Sequence, residues 1–378
     1  IDRTGTLQEV GPDVPRIDWS HGRPALRLEG SRTNGWTWSE DLSQGAWIKD
    51  GVSVTADAAM APDGQVTMDK VVEDETTGVH YIRRALSGAS DNAQQAISFW
   101  VAAAERTWVR IGTNGKDSSS VASSYFNLAT GEFGTVASRH SLRVIERVGS
   151  AYRLECVFDV SSGAVTPQVR VGPTTGDAMS TYTGDGTSGI YLWGLQFEAD
   201  QPVASSYIKT TSTTVTRALD QIMVTPAPAP QPMAVYLRFR ERGTAFVGSF
   251  SADLISFSSP TSRPLWQIDG TSTAGRYRVI HGLPGGVDST SMTPVGAALD
   301  DDVEILATLS SDGAVRIHVS INGGPVQSGS AGPAIGMPSA WGVDRLALGS
   351  SGAYTLLRDA LVLRGAGWTM DQIRRLVA

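Results

Sequence analysis

Tyr182-Thr183-Gly184-Asp185-Gly186-Thr187-Ser188-Gly189 is a glycine- and aspartate-rich turn, and Ile190-Tyr191-Leu192-Trp193-Gly194-Leu195-Gln196-Phe197-Glu198 follows it as an alternating aromatic strand. Period-two alternation leading out of such a turn specifies a β-strand with one face on a core. Similar segments recur along the chain. Gln95 to Val101 and Thr107 to Ile111 read as strands. Tyr125 to Leu128 and Phe133 to Val136 flank Ala129-Thr130-Gly131-Glu132 as a hairpin, and Leu142 to Val148 pairs with Tyr152 to Val160 across Gly149-Ser150. Helical periodicity is not sustained here. Turn signals spaced about 8–12 residues apart belong to an antiparallel sandwich.

A second unit starts beyond Thr225-Pro226-Ala227-Pro228-Ala229-Pro230-Gln231-Pro232. Alternating prolines favour an extended polyproline II spacer. After it, Val235, Leu237 and Phe239 alternate with Tyr236, Arg238 and Arg240. Val315, Ile317, Val319 and Ile321 do the same between the turns Ser311-Asp312-Gly313 and Asn322-Gly323-Gly324. At the C-terminus, Thr369-Met370-Asp371-Gln372-Ile373 has capping-box spacing and opens a short helix with Met370, Ile373 and Leu376 on one side. The expected architecture is all-β: two antiparallel β-sandwich (jelly-roll) domains in tandem, with a short C-terminal helix. The expected boundaries are an arm or attachment segment at 1–29, a first sandwich at 30–224, a linker at 225–232 and a second sandwich at 233–378.

Composition narrows the function classes. The 378 residues carry 31 Lys+Arg against 38 Asp+Glu, a net charge of −7, with no basic run to neutralise phosphates. Nucleic acid and anionic membrane surfaces are therefore disfavoured as partners. No apolar run is long enough to span a bilayer as a helix. The chain opens on Ile1-Asp2-Arg3-Thr4, with neither a signal peptide nor an initiator Met, so a fragment or processed chain is expected. The single Cys156 sits in phase with Leu154, Phe158 and Val160, which reads as a buried strand thiol.

The first unit resembles the jelly-roll module of phage tail fibres and head spikes. The resemblance runs through Arg32-Thr33-Asn34, Trp38-Ser39-Glu40-Asp41, Trp47, Pro62-Asp63-Gly64 with Asp69-Lys70, the Trp193 strand, Ser206-Tyr207-Ile208 and Thr216-Arg217-Ala218. It departs at Gly35-Trp36, where the family carries two aliphatic residues. The second unit resembles a concanavalin A-like, laminin-G-like sandwich through Arg345-Leu346-Ala347-Leu348-Gly349 and Leu361-Val362-Leu363 leading into the Thr369 helix. Both resemblances imply carbohydrate binding at the surface of a phage-like particle. The implied partners are a bacterial capsular polysaccharide and other virion proteins, with a homo-oligomer as the form that multiplies weak contacts.

Sugar sites combine an aromatic face for the pyranose ring with polar groups for its hydroxyls. Trp36 and Trp38, at i and i+2, would share a strand face and present one ring to solvent. Trp266, Arg276, Tyr277, Arg278 and His281 would form a polar-aromatic face for acidic polysaccharide, whereas Trp47, Trp100 and Trp193 read as core. Asp63, Asp185 and Asp200 sit in turns and could give oxygens to a structural Ca²⁺, although no EF-type loop is present.

No catalytic set is expected. His21, His80, His140, His281 and His318 are scattered. The acidic runs Glu73-Asp74-Glu75 and Asp300-Asp301-Asp302-Val303-Glu304 lack the alternating carboxylates of concanavalin-type hydrolases. A non-enzymatic adhesin is the leading expectation. A polysaccharide depolymerase and a purely structural decoration protein stay open beside it.

Overall fold

The fold is described from a computed structural model. It describes all residues except 118, 225–231, 242–252, 259–265, 271–275, 283–287, 299, 336–344, 349–354, 365 and 378. The chain divides into two compact units, residues 1–9 with 32–217 and residues 10–31 with 218–378. Both are built from antiparallel sheets, and among the described residues the single α-helix is Met370–Val377.

In the first unit two six-stranded sheets face each other. One runs through Ala93–Ala103, Ala151–Val160 and Gly189–Glu198, the other through Trp108–Thr113, Gln168–Thr174 and Tyr81–Ala85. Their inward residues meet in one core, with Phe99, Val101, Leu154 and Leu192 from one sheet and Ile111, Phe126 and Val171 from the other. Apolar area removed from water is what holds such a sandwich closed. The hairpins fall where their turn residues specify. His140–Val148 pairs with Ala151–Val160 across Gly149, which has a positive φ that glycine adopts without penalty. Cys156 is fully buried, and its thiol is pushed well above the usual range by that burial.

In the second unit a seven-stranded and a six-stranded sheet enclose another core. Val235, Leu237 and Phe239 meet Phe257, Ile268 and Val279 there. The other face of Met233–Glu241 is divided. Ala234 and Tyr236 are covered by Met370 and Ile373 of the helix, and Arg238 pairs with Asp359. The helix starts at the expected cap: the Gln372 amide N–H donates to Thr369 Oγ1 at 3.3 Å, and the Thr369 N–H donates to Gln372 Oε1 at 2.9 Å.

The N-terminal segment corrects the expected arm at 1–29. Ala25–Leu28 pairs with Ile17–Asp18 on one side and with Thr355–Arg364 on the other. Leu28 is buried in the second unit's core, and Arg27 is buried in ion pairs with Asp18 and Glu29. Pro and Gly punctuation conceals a four-residue strand too short to show a period. Residues 2–8 form a self-closed loop on the first unit. Asp2 accepts from the Thr4 and Thr6 N–H groups, and the Leu7 N–H donates to Pro62 O at 2.9 Å. Ile222–Val224, expected in the first sandwich, pairs with Arg345–Leu348 of the second. Most of the expected linker, 225–231, lies outside the described residues.

Candidate functional site

The Gly189–Glu198 strand carries the site. Its register to Ala93–Ala103 shifts between Trp193 and Gln196, a bulge centred on Gly194 at φ +62°. A Cβ there would stand 3.2 Å from Trp100 and 3.3 Å from the Tyr207 ring. Glycine is therefore required twice, for its backbone and for the space. It lets Tyr207 lie on Trp193 with ring centroids 4.8 Å apart.

The residues quoted for the phage-module resemblance converge here, although they lie far apart in sequence. Asn34 Nδ2 donates to Leu195 O and Ile208 O, and its Oδ1 accepts from the Trp36 and Phe197 N–H groups. Arg32 pairs with the buried Glu198 at 3.2 Å. Ser39 Oγ lies 2.7 Å from the Tyr207 hydroxyl, and Asp69 accepts from the Leu42 and Asp57 N–H groups. Most of the motif is thus a set of buried cross-links that fasten the 32–42 segment and the 205–210 segment onto one sheet face.

What these links leave open is a cleft of about 300 Å³ wholly within the first unit. Trp193, Tyr207, Leu7, Ile208 and Val215 supply its apolar wall; Glu40, Lys209, Asp63, Arg217, Gln8 and Glu9 supply polar groups. The Tyr207 hydroxyl donates to Glu40 Oε1 at 2.9 Å, and Lys209 Nζ is 2.6 Å from Glu40 Oε2. Burial, then the Glu40 charge, pushes the Tyr207 phenol well up, so it stays a neutral donor. Its hydrogen bond to Glu40 raises Lys209, which stays an ammonium and is more than half exposed. Arg217 holds Ser206 Oγ at 2.8 Å. A mixed apolar wall with fixed donors and acceptors suits a polyhydroxylated ring, whose C–H face is apolar and whose rim is polar.

The expected sugar faces are not formed, and each departure has a local cause. Trp36 is 2% exposed, packs edge-on against Trp47 at 5.3 Å, and donates Nε1 to Ala85 O. Trp38 does not share its face, because the strand ends at Asn34 and Trp38 is left-handed at φ +57°. It is half-buried against the core, and its carbonyl accepts from Trp47 Nε1. In the second unit Trp266, Tyr277 and His281 are all fully buried. Trp266–Gly270 and Tyr277–Gly282 do pair, with Trp266 opposite His281, but that shared face is the one turned to the core. The Tyr277 hydroxyl donates to Glu241, and His281 Nδ1 meets Gly313 O at 3.0 Å. Arg278 lies on the other face and donates Nε and Nη2 to Asp269; Arg276 is half-buried.

The three turn aspartates do not converge either. Asp63 accepts from the Gln65 N–H. Asp185 accepts from Thr187 and Ser188 and pairs with Arg106; the Ser188 hydroxyl is the first cause holding its carboxyl below the usual range. Asp200 is bound by Ser90 and Gln95. Among the described residues no group of three His, Cys, Asp or Glu side chains has metal-holding geometry. Asp63 belongs instead to the cleft. Tyr207, Glu40 and Lys209 were not singled out as sugar contacts from the sequence; the ordered motif carried Glu40 and Tyr207, nothing marked Lys209, and Trp193 is buried as expected.

No protein-family model matches the chain, and no curated protein matches it. Among solved structures it is similar to the native heptameric SAP-like pentraxin of Limulus polyphemus, at 12% identity and a TM-score of 0.27, covering 42% of this chain and 82% of that one. It is also similar to domains LG4-5 of the mouse laminin alpha1 chain, at 10% identity and a TM-score of 0.23, covering 76% of this chain and 86% of that one.

Proposed function

We propose that this protein is an adhesin on the surface of a phage-like particle, a spike or fibre component that takes bacterial surface polysaccharide into the first-unit cleft. The observation that carries the reading is the Tyr207–Glu40–Lys209 chain, in which the half-buried Tyr207 ring, seated on the buried Trp193, lies beside fixed polar groups at one spot. The particle assignment rests on the motif resemblance of residues 32–69 and 193–217. Two cations, Lys209 and Arg217, and three carboxylates, Glu9, Glu40 and Asp63, line the cleft, so the polar groups it offers suit hydroxyls rather than one sign of charge. A single cleft of this kind binds weakly, and repeated display on a particle multiplies it.

In this reading Glu40 serves binding rather than cleavage, and Glu9 and Asp63, the cleft's other carboxylates, are covered by the release assay below. Hydrolysis needs one carboxyl free to deliver a proton and a second poised across the bond. Both oxygens of Glu40 are already engaged, by Tyr207 and Lys209. Among the described residues no helix is long and apolar enough to cross a membrane.

The test is binding of the purified chain to capsulated and capsule-free bacterial cells, with released oligosaccharide scored in the same tubes. Capsule-dependent binding without release is expected. Release of oligosaccharide would make the protein a depolymerase, and capsule-independent association would leave it a structural particle component.

A further inference from the structure

The second unit has an opening of its own that the first-unit reading does not use. It measures about 240 Å³ and lies where the helix start meets the outer face of the Asp302–Leu309 and Val315–Ile321 strands. Leu306, Val326 and Met370 make its aliphatic wall, and the half-buried Trp368 lines it beside His318 and Asp371. His318 is held by its Nδ1, 2.7 Å from Ser328 Oγ, and its Nε2 has no protein partner among the described residues. Asp371 is 77% exposed at its side chain, and only its Oδ1 contacts protein, at 3.4 Å from Arg374.

We propose that this opening is a second sugar site, one that takes a single uncharged monosaccharide unit with Trp368 against the ring and His318 and Asp371 on its hydroxyls. Size sets the single unit, since sites for drug-sized ligands start at about 300 Å³. Charge sets the class. Among the described residues Asp371 carries the only formal charge in the lining, with no Lys or Arg beside it there. A carboxylate accepts two hydroxyl hydrogens from a neutral sugar but repels an anionic one. The helix N-terminus would favour an anion, yet Thr369 and Gln372 already cap it and Asp371 sits in its first turn.

The test uses the full chain labelled with 15N, its Trp368 indole resonance assigned through Trp368→Phe. It is titrated with the methyl glycosides of glucose, galactose, mannose and N-acetylglucosamine, and with glucuronate. At least one neutral glycoside shifts the Trp368 indole at about 50 mM or below, and glucuronate does not. Asp371→Asn, at an exposed position that preserves the fold, weakens that binding about tenfold. The proposal is overturned if none of the four neutral probes shifts the indole. It is equally overturned if glucuronate shifts it as strongly or if Asp371→Asn leaves the affinity unchanged. Because the readout is local to Trp368, failure here leaves the first-unit cleft untouched.

Discussion

Asn34 donates its side-chain amide to the carbonyl of Ile208 at 2.9 Å, across 174 residues of sequence. The same side chain donates to Leu195 O and accepts from the Trp36 and Phe197 N–H groups, so all four of its hydrogen-bonding positions are used with no exposed surface. That arrangement suits asparagine alone, because an acid lacks the donors and an aliphatic residue lacks both.

Asn34→Ala should therefore cost about 3 kcal/mol or more, since it strands several buried backbone groups without partners. Urea unfolding followed by tryptophan fluorescence measures it. Asn34→Asp sets a buried carboxylate against the Leu195 and Ile208 carbonyls and should cost at least as much; a clearly smaller loss would show that the two donated bonds matter little.

The burial of Trp266 changes what its substitution means. Trp266→Ala should lower stability by about 3–5 kcal/mol through the cavity left beside Phe257. Glycan affinity per folded molecule should stay at the parent value. A selective loss of binding with an unchanged unfolding midpoint would return Trp266 to a ligand-contacting role.

Asp69 gives a pH signature. Burial raises its carboxyl to about 6, against the Leu42 and Asp57 N–H groups that pull it down. The folded chain thus binds this proton more tightly than the unfolded chain, where the value is about 3.9. Its contribution to stability is present below about pH 4 and is lost as pH rises through about 6. Unfolding midpoints at pH 4 and 7 should fall further for the parent than for Asp69→Asn, which lacks that proton. Equal falls in the two proteins would place the Asp69 carboxyl at its ordinary value.

Gly194 should tolerate no side chain. Gly194→Ala meets a left-handed backbone and contacts at 3.2–3.3 Å with Trp100 and Tyr207. The expected loss is about 1–3 kcal/mol, with Tyr207 displaced from Trp193 and weaker glycan binding. A melting temperature equal to the parent's would show that the bulge relaxes freely.

Much of the fold was legible because its signals are local. Period-two alternation gave the Gly189–Glu198 and Val315–Ile321 strands. Gly149, Gly313 and Asn322 marked turns that need positive φ, and Thr369 with Gln372 marked the helix start. The site was not legible in the same way. Alternation says that Trp266, Tyr277 and His281 share a face, but not which way that face turns. Only the packing of the opposite sheet decides it. Trp38 failed for a backbone reason, a left-handed residue where a strand was expected. The Ala25–Leu28 strand was hidden because four residues carry almost no periodicity and its partner lies more than three hundred residues away. The cleft joins Glu40 to Tyr207 across 167 residues, a meeting no local pattern encodes.

The most direct measurement is the affinity of the full chain for capsular oligosaccharides by isothermal titration, with Lys209→Ala and Tyr207→Phe in parallel. Lys209 is exposed, so its loss leaves the fold intact while removing the cleft's ammonium beside Glu40. The account predicts binding by the parent chain and about tenfold or greater weakening in Lys209→Ala, with a further loss where Tyr207 no longer orients Glu40. Parent-like affinity in both variants, or no binding of any oligosaccharide by the parent, would contradict it.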